Sequence, residues 1–336
     1  MIEFFKEPNF DWMGKAKYFY ALSAILLIAG WASIAAKGGM YYGIDFKGGT
    51  NVDVRFTHPP TIDQLRAALT SQGLGNTEIQ SINDIASGSS SEYLIFVGQE
   101  AQTDEARDST KARVVSALNT AYGPGAFTIR GAEIVGAKVG AELRRQAVYV
   151  TLYALGGMLL YIAFRFEWVF GAAAVLAVFH DVLITLGFFS LLHFEISLTV
   201  IAALLTLVGY SMNDTIVIFD RIRENNRLLR KEDFAAVVNK SINQTLSRTI
   251  LTSGLTFLTV LVLFLMGGQV LRAFSFALVV GIVVGTYSSF GIAAPLVVWW
   301  HRYRDHGASA GTGPAAGNKP RNGEAAEGRL APAGRR

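Results

Sequence analysis

An aspartate lies inside a stretch of the chain that is otherwise apolar enough to cross a membrane. The stretch Val208–Arg223 reads VGYSMNDTIVIFDRIR, and its apolar run begins near Ile196, so Asp214 falls within a hydrocarbon-length helix. An ionised carboxylate costs roughly 2.5 to 10 kcal/mol or more at that depth. We therefore interpret Asp214 as a group that takes up and releases a proton. Asn213 and Thr215 beside it serve either a proton relay or helix packing.

Polar side chains recur every three or four residues on two successive apolar segments. One stripe comprises Thr206, Tyr210, Asn213 and Asp214, and the next comprises Thr245, Arg248, Thr249, Thr252, Thr256 and Thr259. Polar stripes of spanning helices face each other rather than lipid, so Arg248 is predicted to be the partner of Asp214. Arginine favours the ionised carboxylate and burial favours the neutral one, so small movements could switch the charge. A static ion pair, or an Arg248 side chain that extends to the membrane surface, is the alternative.

A second pair of titratable residues, His180-Asp181, lies in the middle of an earlier apolar segment. Histidine changes its charge near neutral pH, and an intramembrane acid is costly unless it has a partner. Two interpretations stay open: a proton relay, or a pair satisfied locally that stabilises helix packing.

The composition indicates a membrane protein. Of 336 residues, 51% are hydrophobic, and the mean hydropathy is +0.34, which is typical of a chain with several spans. The absence of cysteine excludes disulfides and thiol chemistry. The sequence also lacks GxxxxGK[ST], HExxH, GxSxG and a GxGxxG after a strand. We expect no enzyme activity and no cofactor, with protons as the energy source.

The apolar runs divide the chain into a membrane bundle and one soluble domain. We predict an N-terminal segment over 1–17, six transmembrane helices at 18–36, 146–164, 169–190, 196–219, 249–266 and 274–300, a soluble domain over 37–145, an amphipathic loop over 220–248 and a disordered tail over 301–336. Ser33-Ile34-Ala35 resembles a signal-peptide cleavage site, but the acids of the leader and the length of the run favour an uncleaved span. Gly281, Gly285 and Ser289 form a small-residue ridge for close helix packing.

The soluble segment alternates strands and helices in the order β-α-β-β-α-β, which predicts an α+β domain of the ferredoxin-like type. Thr61 is the expected N-cap of its first helix, Gly73 and Gly75 end that helix, and Ser87–Ser91 forms a turn. Between 37 and 145 there are 11 basic and 12 acidic residues. No basic patch for nucleic acid is therefore expected.

The positive charges predict the orientation. Eighteen of the 30 Lys and Arg residues fall on the N-terminal segment, the loop over 220–248, Arg165 and the tail. The positive-inside rule places these parts, and both termini, in the cytoplasm, with the soluble domain outside. The apolar face of Glu232–Leu246 is expected to lie along the cytoplasmic membrane surface.

Three motifs resemble the SecD/SecF family of bacterial protein translocation accessory proteins, and specifically its SecF members. They are YGIDFKGGT (Tyr42–Thr50), GYSMNDTIVIFDRIREN (Gly209–Asn225) and INQTLSRTILTSGLT (Ile242–Thr256). The similarity extends from Phe10 to about Tyr303. The resemblance implies a six-span member of the resistance-nodulation-division superfamily with one periplasmic domain, located in the bacterial cytoplasmic membrane.

The resemblance also implies partners and residue roles. It implies a heterodimer with SecD, association with the SecY-SecE-SecG channel and a YajC-like protein, and use of the proton-motive force to complete preprotein export after the ATP-driven step. In the family, the acid and the arginine that match Asp214 and Arg248 are tied to proton conduction. A structural role falls to the motif residues Gly43, Asp45, Gly48 and Gly49, whose glycines permit tight turns.

Two other functional classes remain as alternatives. A half-transporter for a lipid or small molecule predicts a substrate-sized outer cleft and a larger outer domain. A passive scaffold predicts that replacing Asp214 affects assembly but not the activity of each assembled complex.

Overall fold

The computed structural model describes residues 8–74, 77–82, 92–98, 104–165 and 167–311. The predictions that concern residues 1–7, Gly75, the turn Ser87–Ser91 and the tail over 312–336 lie outside these ranges. In chain order, the elements are α1 (Trp12–Ala36), α2 (Ile44–Lys47), β1 (Gly49–Phe56), α3 (Ile62–Thr70), β2 (Thr77–Ile82), β3 (Glu92–Val97), α4 (Asp104–Tyr122), β4 (Phe127–Val135), α5 (Ala137–Arg165), α6 (Trp168–Leu191), α7 (Leu198–Leu228), α8 (Phe234–Met266), α9 (Gly268–Ser288), a π-helical turn (Ser289–Ala293) and α10 (Ala294–Gly311).

Five helical segments of the described residues are long and apolar enough to cross a membrane. They are α1, α6, α7, α8 and the continuous stretch Leu271–Arg304, which joins α9, the π turn and α10. The chain is thus a multi-pass membrane protein. The predicted span over 146–164 falls within α5, which is not one of the five, so a sixth span stays a prediction.

The predicted loop over 220–248 is wrong. Helix α7 continues to Leu228, and α8 begins at Phe234, directly after its N-cap Asp233. The apolar residues predicted to face the membrane surface are buried against α7 instead: Val238 and Ile242 share a core cluster with Ile222. The pattern of apolar residues is the same for a helix on a membrane and for a helix packed on another helix, so the sequence could not separate the two.

The N-terminal end of the bundle is held by two asparagines one turn apart on α8. Asn243 accepts hydrogen bonds from the Phe10 amide and the Trp12 indole and donates to the Phe10 carbonyl. Asn239 accepts from the amide of Met13. These contacts fasten the start of α1 to the part of α8 that was predicted to be loop.

The four strands form one antiparallel sheet in the order β2-β3-β1-β4. Its element order, β1-α3-β2-β3-α4-β4, is the order predicted from the sequence. Thr61 caps α3 as expected and forms a capping box with Gln64. Helices α3 and α4 cover one face of the sheet, where Val52, Val54 and Ile95 pack against their apolar sides.

Small residues allow the helices of the bundle to approach closely, as the ridge on α9 predicts. A Cβ atom added at Gly281 would lie 2.5 Å from the side chain of Leu207, and one at Gly285 would lie 2.9 Å from Ser211. Helices α1 and α6 come still closer, because a Cβ atom at Gly30 would lie 2.6 Å from the Cα atom of Gly187. At that crossing the two backbones touch with no side chain between them.

We predict that Gly30→Ala lowers the thermal stability of the purified chain in detergent. The added methyl group would meet backbone that cannot rotate away, and overpacking of this kind costs about 1–3 kcal/mol. The matched control is Gly156→Ala on α5, where an added Cβ atom meets nothing within 4 Å. The control should keep or slightly raise the midpoint, since alanine favours a helix over glycine. Equal midpoints for Gly30→Ala and the wild type would contradict the close crossing.

Candidate functional site

Asp214 is buried between two long helices. It lies on α7 with 3% of its surface exposed, and the hydroxyl of Ser253 on α8 donates a hydrogen bond to its Oδ2 atom over 2.7 Å. Thr215 is also buried, but its hydroxyl returns to the carbonyl of Ser211 on the same helix. Of these two neighbours on α7, Asp214 is therefore the one that bonds to α8. A change in the charge of Asp214 would alter that bond directly.

The predicted direct pair between Asp214 and Arg248 is not formed. Arg248 lies on the exposed surface of α8, and among the described residues no ion pair joins it to Asp214. Electrostatic attraction still acts between the two side chains. Ser253, five residues after Arg248 on α8, makes the direct contact instead, and Arg248 is an electrostatic neighbour in this conformation.

The two polar stripes face each other only in part. On α8, Thr245, Thr249 and Ser253 are buried at a spacing of four residues and face the bundle. Other members of the two stripes are exposed instead: Thr206, Asn213, Arg248, Thr252 and Thr259. The spacing of four that continues from Thr249 could have identified Ser253, which the predicted stripe left out.

His180 and Asp181 are brought into a buried cluster of hydroxyl groups. His180 Nδ1 lies 2.9 Å from Asp181 Oδ1. Ser211 of α7 and Ser288 of α9 both donate to Asp181 Oδ2, over 2.5 and 2.9 Å. The two serines come from helices that are distant in sequence, and nothing in the spacing around His180 predicts them.

The glycine-rich motif after α1 forms the joint between the sheet and α7. Gly48 and Gly49 have φ angles of 71° and 140°, and a Cβ atom at Gly49 would lie 2.8 Å from the carbonyl oxygen of Val97. Glycine is required at both positions. Gly43 has an ordinary φ of −70°, so its backbone conformation does not require glycine, and its predicted structural role stays a prediction.

Asp45 explains how the motif is attached. Its Oδ2 atom accepts a hydrogen bond from the amide of Leu198, the first residue of α7, over 2.8 Å. A carboxylate at a helix N-terminus is favoured by the free amides and by the helix dipole. Beside it, Tyr41 and Gly43 pair with the backbone of Ile196 in a short parallel bridge. The sheet is therefore tied to the start of the helix that carries Asp214.

Several charged groups surround this joint outside the apolar segments. Lys47 forms an ion pair with Glu78 at 3.2 Å and lies over the ring of Tyr41. Burial raises the pKa of Glu195 above its ordinary value, and the nearby carboxylates of Asp45 and Glu133 raise it further, against the opposing effect of Lys47. The surroundings of Glu195 therefore favour its protonated form.

Histidine, aspartate and glutamate side chains do not gather into a group of three that could hold a metal ion anywhere in the part of the chain that the structure describes. The expectation that the protein needs no cofactor stays a prediction.

Together, these features define a multi-pass membrane protein that joins a small antiparallel sheet to a bundle with buried carboxyl groups. Residues 114–303 match the family model "Protein export membrane protein SecD/SecF, C-terminal", and residues 33–60 match the "SecD/SecF GG Motif". The chain belongs to the SecD/SecF family, among its SecF members.

Relatives match over most of the chain. The protein translocase subunit SecF of Koribacter versatilis is 42% identical over 94% of this chain and 97% of its own length. The crystal structure of SecDF from Thermus thermophilus is similar with a TM-score of 0.77 and 44% identity, over 88% of this chain and 39% of that one. SecDF in a super-membrane-facing form gives a TM-score of 0.66 at 42% identity, over 92% and 41% of the two chains.

We predict that Glu195→Gln stabilises the protein at neutral and alkaline pH. Because the pKa of Glu195 is raised in the folded state, there is a pH range in which the folded protein keeps this proton and the unfolded chain has lost it. The stability due to this group is full below the ordinary glutamate pKa and is lost as the pH rises through the raised one. Thermal unfolding at a series of pH values should show the two proteins equal in acid, increasingly different across that window, and different by a constant amount above it.

Glu142→Gln provides the control, since Glu142 is exposed and pairs with Arg145 at 3.0 Å on the surface. It should change the melting temperature little at any pH. Melting curves of Glu195→Gln that run parallel to the wild type at all pH values would contradict a buried acid at the joint.

Proposed function

We propose that this chain is a SecF-type subunit that, with SecD, uses the proton-motive force to complete protein export across the cytoplasmic membrane after the ATP-driven step. Its similarity to SecF translocase subunits supports the role in protein export. The observation that carries the proton-driven part is Asp214, an acid with 3% exposure that holds α7 to α8 through Ser253.

Protonation of Asp214 would change the α7–α8 contact directly. When ionised, the carboxylate accepts the Ser253 hydroxyl and attracts Arg248. A neutral carboxyl loses the attraction to arginine and can itself donate a hydrogen bond. The two charge states therefore favour different positions of α8 along α7.

The joint supplies a route from that contact to the sheet. Leu198 begins α7 sixteen residues before Asp214, which corresponds to about 24 Å along a helix at roughly 1.5 Å per residue. Asp45 holds the first amide of α7, and the bridge to Ile196 holds the residue before its N-cap. A shift or tilt of α7 would therefore move the sheet, since the helix is stiff and both attachments are made at its N-terminal end, to the amide of Leu198 and to the backbone of Ile196.

The free energy released when a proton crosses the membrane is large enough to drive such a change in helix position. One charge that crosses the membrane contributes about 2.3 kcal/mol per 100 mV. No nucleotide is needed at this step, and we propose neither an enzymatic reaction nor a cofactor for the chain.

The proposed assembly follows from the exposed polar side chains of α7 and α8. Arg248, Asn213 and Thr252 lie on the surface of helices that cross the membrane, where hydrocarbon would disfavour them. We propose that SecD covers this face. The relatives named SecDF, of whose length this chain covers 39%, support a pairing of the two parts. The SecY-SecE-SecG channel, a YajC-like protein, exported preproteins and membrane lipid complete the proposed set of partners, which includes no nucleic acid.

We further propose that α5 provides a sixth span and that the sheet and its helices are a ferredoxin-like domain outside the cytoplasm, which engages the emerging polypeptide. Both chain termini then lie in the cytoplasm. The charge distribution of the sequence supports this orientation.

We predict that Asp214→Asn abolishes the part of export that depends on the proton-motive force. The loss of one coupled charge removes about 2.3 kcal/mol of driving free energy per 100 mV of membrane potential. This exceeds the roughly 1.4 kcal/mol that corresponds to a factor of ten. The measurement is the release of an exported protein by cells that carry the full chain together with SecD, with and without an uncoupler.

Asp220→Asn is the matched control, because it makes the same chemical change on the same helix at an exposed acid that pairs with Arg165 over 3.5 Å. It should leave release within about twofold of the wild type. If Asp214→Asn assembles normally and releases protein as fast as the control, Asp214 has no part in the mechanism.

A further inference from the structure

We infer that His180 and Asp181 form a second proton-binding site in the bundle, in which His180 Nε2 takes up the proton and Asp181 holds the resulting imidazolium in place. This inference rests on the proposed proton-driven function and deepens it. It also decides between the two interpretations, relay or packing, that the sequence left open for this pair.

The hydrogen bonds around Asp181 fix the form of the resting site. An ionised carboxylate only accepts hydrogen bonds, and three donors surround this one: His180 Nδ1 on Oδ1, and the hydroxyls of Ser211 and Ser288 on Oδ2. With Asp181 ionised, the Nδ1 atom of His180 is the one that carries the hydrogen, since it must donate to Oδ1. In a neutral ring, the Nε2 atom is then left as an acceptor, free to bind a proton.

A chain of two hydroxyl groups ends at that acceptor. Tyr287 places its hydroxyl 3.4 Å from His180 Nε2, and Ser23 of α1 lies 3.1 Å from the same tyrosine oxygen. With a neutral ring, hydrogen bonds run from Ser23 to Tyr287 and on to Nε2. When Nε2 gains a proton, it becomes a donor, Tyr287 accepts from it and turns its own hydrogen towards Ser23. Both hydroxyls can reverse without any change in heavy-atom positions.

The charge of the site explains why binding of a proton is favourable there. With His180 neutral, the pair has a net charge of −1, although Asp181 is fully buried and His180 has only 10% of its side chain exposed. Uptake of one proton converts the site to a neutral ion pair that keeps all three hydrogen bonds to the carboxylate. A buried unpaired charge is costly, and a hydrogen-bonded partner of opposite charge offsets that cost.

The other helices around the pair supply no competing charge among the described residues. Helix α7 contributes Ser211, α9 contributes Tyr287 and Ser288, and α1 contributes Ser23, so the titratable group besides the pair itself is the tyrosine. Arginine and lysine do not contact the carboxylate in this part of the structure. Asp181 therefore has His180 as its cation, and the charge of the site follows the histidine.

The site shares α7 with Asp214. Ser211, which binds Asp181, lies three residues before Asp214, which binds Ser253 of α8. The helix thus contacts one carboxyl cluster on the α6–α9 side and carries a second acid on the α8 side. Ser288 immediately precedes the π-helical turn over 289–293, a local widening of the helix that is frequent at functional sites.

The test is a pH titration of the histidine rings in the full chain, reconstituted in liposomes and labelled with ¹⁵N only at histidine. The chain has five histidines, and loss of one signal in His180→Gln assigns His180. We expect its signals to change from those of a neutral ring with hydrogen on Nδ1 to those of an imidazolium as the pH is lowered. In Asp181→Asn the ring should stay neutral over the same range.

A pair of neighbouring serines gives the control. Ser288→Ala removes a hydrogen bond to Asp181, whereas the equally buried Ser289 donates only to the carbonyl of Thr286. Ser288→Ala should shift the His180 transition by about half a pH unit or more, and Ser289→Ala should leave it in place. Both should melt at similar temperatures, which separates an effect on the site from a folding defect.

A His180 ring that keeps one state across the whole pH range would overturn the inference and leave a packing pair. So would a transition that Asp181→Asn leaves unchanged. These outcomes are distinct from failure of the proposed function, which is read from protein release in Asp214→Asn and does not depend on the histidine spectra.

Discussion

The structure depends on which hydrogen-bond donors the protein supplies to carboxyl groups buried inside an apolar helix bundle. Asp181 has three hydrogen-bond donors from three different residues, whereas Asp214 has the single hydroxyl of Ser253 and a more distant attraction to Arg248. A fully bonded acid fixes its helices in one arrangement, and a sparsely bonded one leaves them able to shift. This contrast separates Asp181, which is held at several points between α6, α7 and α9, from Asp214, which is held to α8 at one.

The sequence was sufficient for the parts of the structure that follow from local rules. The cost of a carboxylate in an apolar run identified Asp214, hydrophobic periodicity gave the order of strands and helices around the sheet, and the small residues of α9 predicted its close packing on α7. The serines that bind Asp181 were not predictable, because Ser211 and Ser288 lie 30 and 107 residues from it. Serine in a helix usually bonds to its own backbone, so its type and spacing carry no sign of a distant acid.

Two errors of prediction have the same origin. The residue pattern predicts an amphipathic loop over 220–248, with Glu232–Leu246 on the membrane surface, and a direct pair between Arg248 and Asp214. In both cases the pattern defines a face of a helix but not the neighbour of that face. The rotation of α8 about its axis, set by the burial of Val238 and Ile242 against α7, directs Ser253 inwards and Arg248 outwards. Five residues at roughly 3.6 per turn place the two side chains about 140° apart around the helix, so this rotation decides which of them meets the acid.

The backbone crossing of Gly30 and Gly187 has a mechanical consequence. Because no side chain separates α1 from α6 there, and because Ser33 and Ser190 are bonded over 2.9 Å nearby, the two helices cannot slide past each other without losing contact along their length. Ser23 and His180 belong to these same two helices. These two helices would then move as one body that carries both ends of the hydrogen-bonded chain from Ser23 through Tyr287 to His180, and α8 would be the long helix that changes its position relative to them.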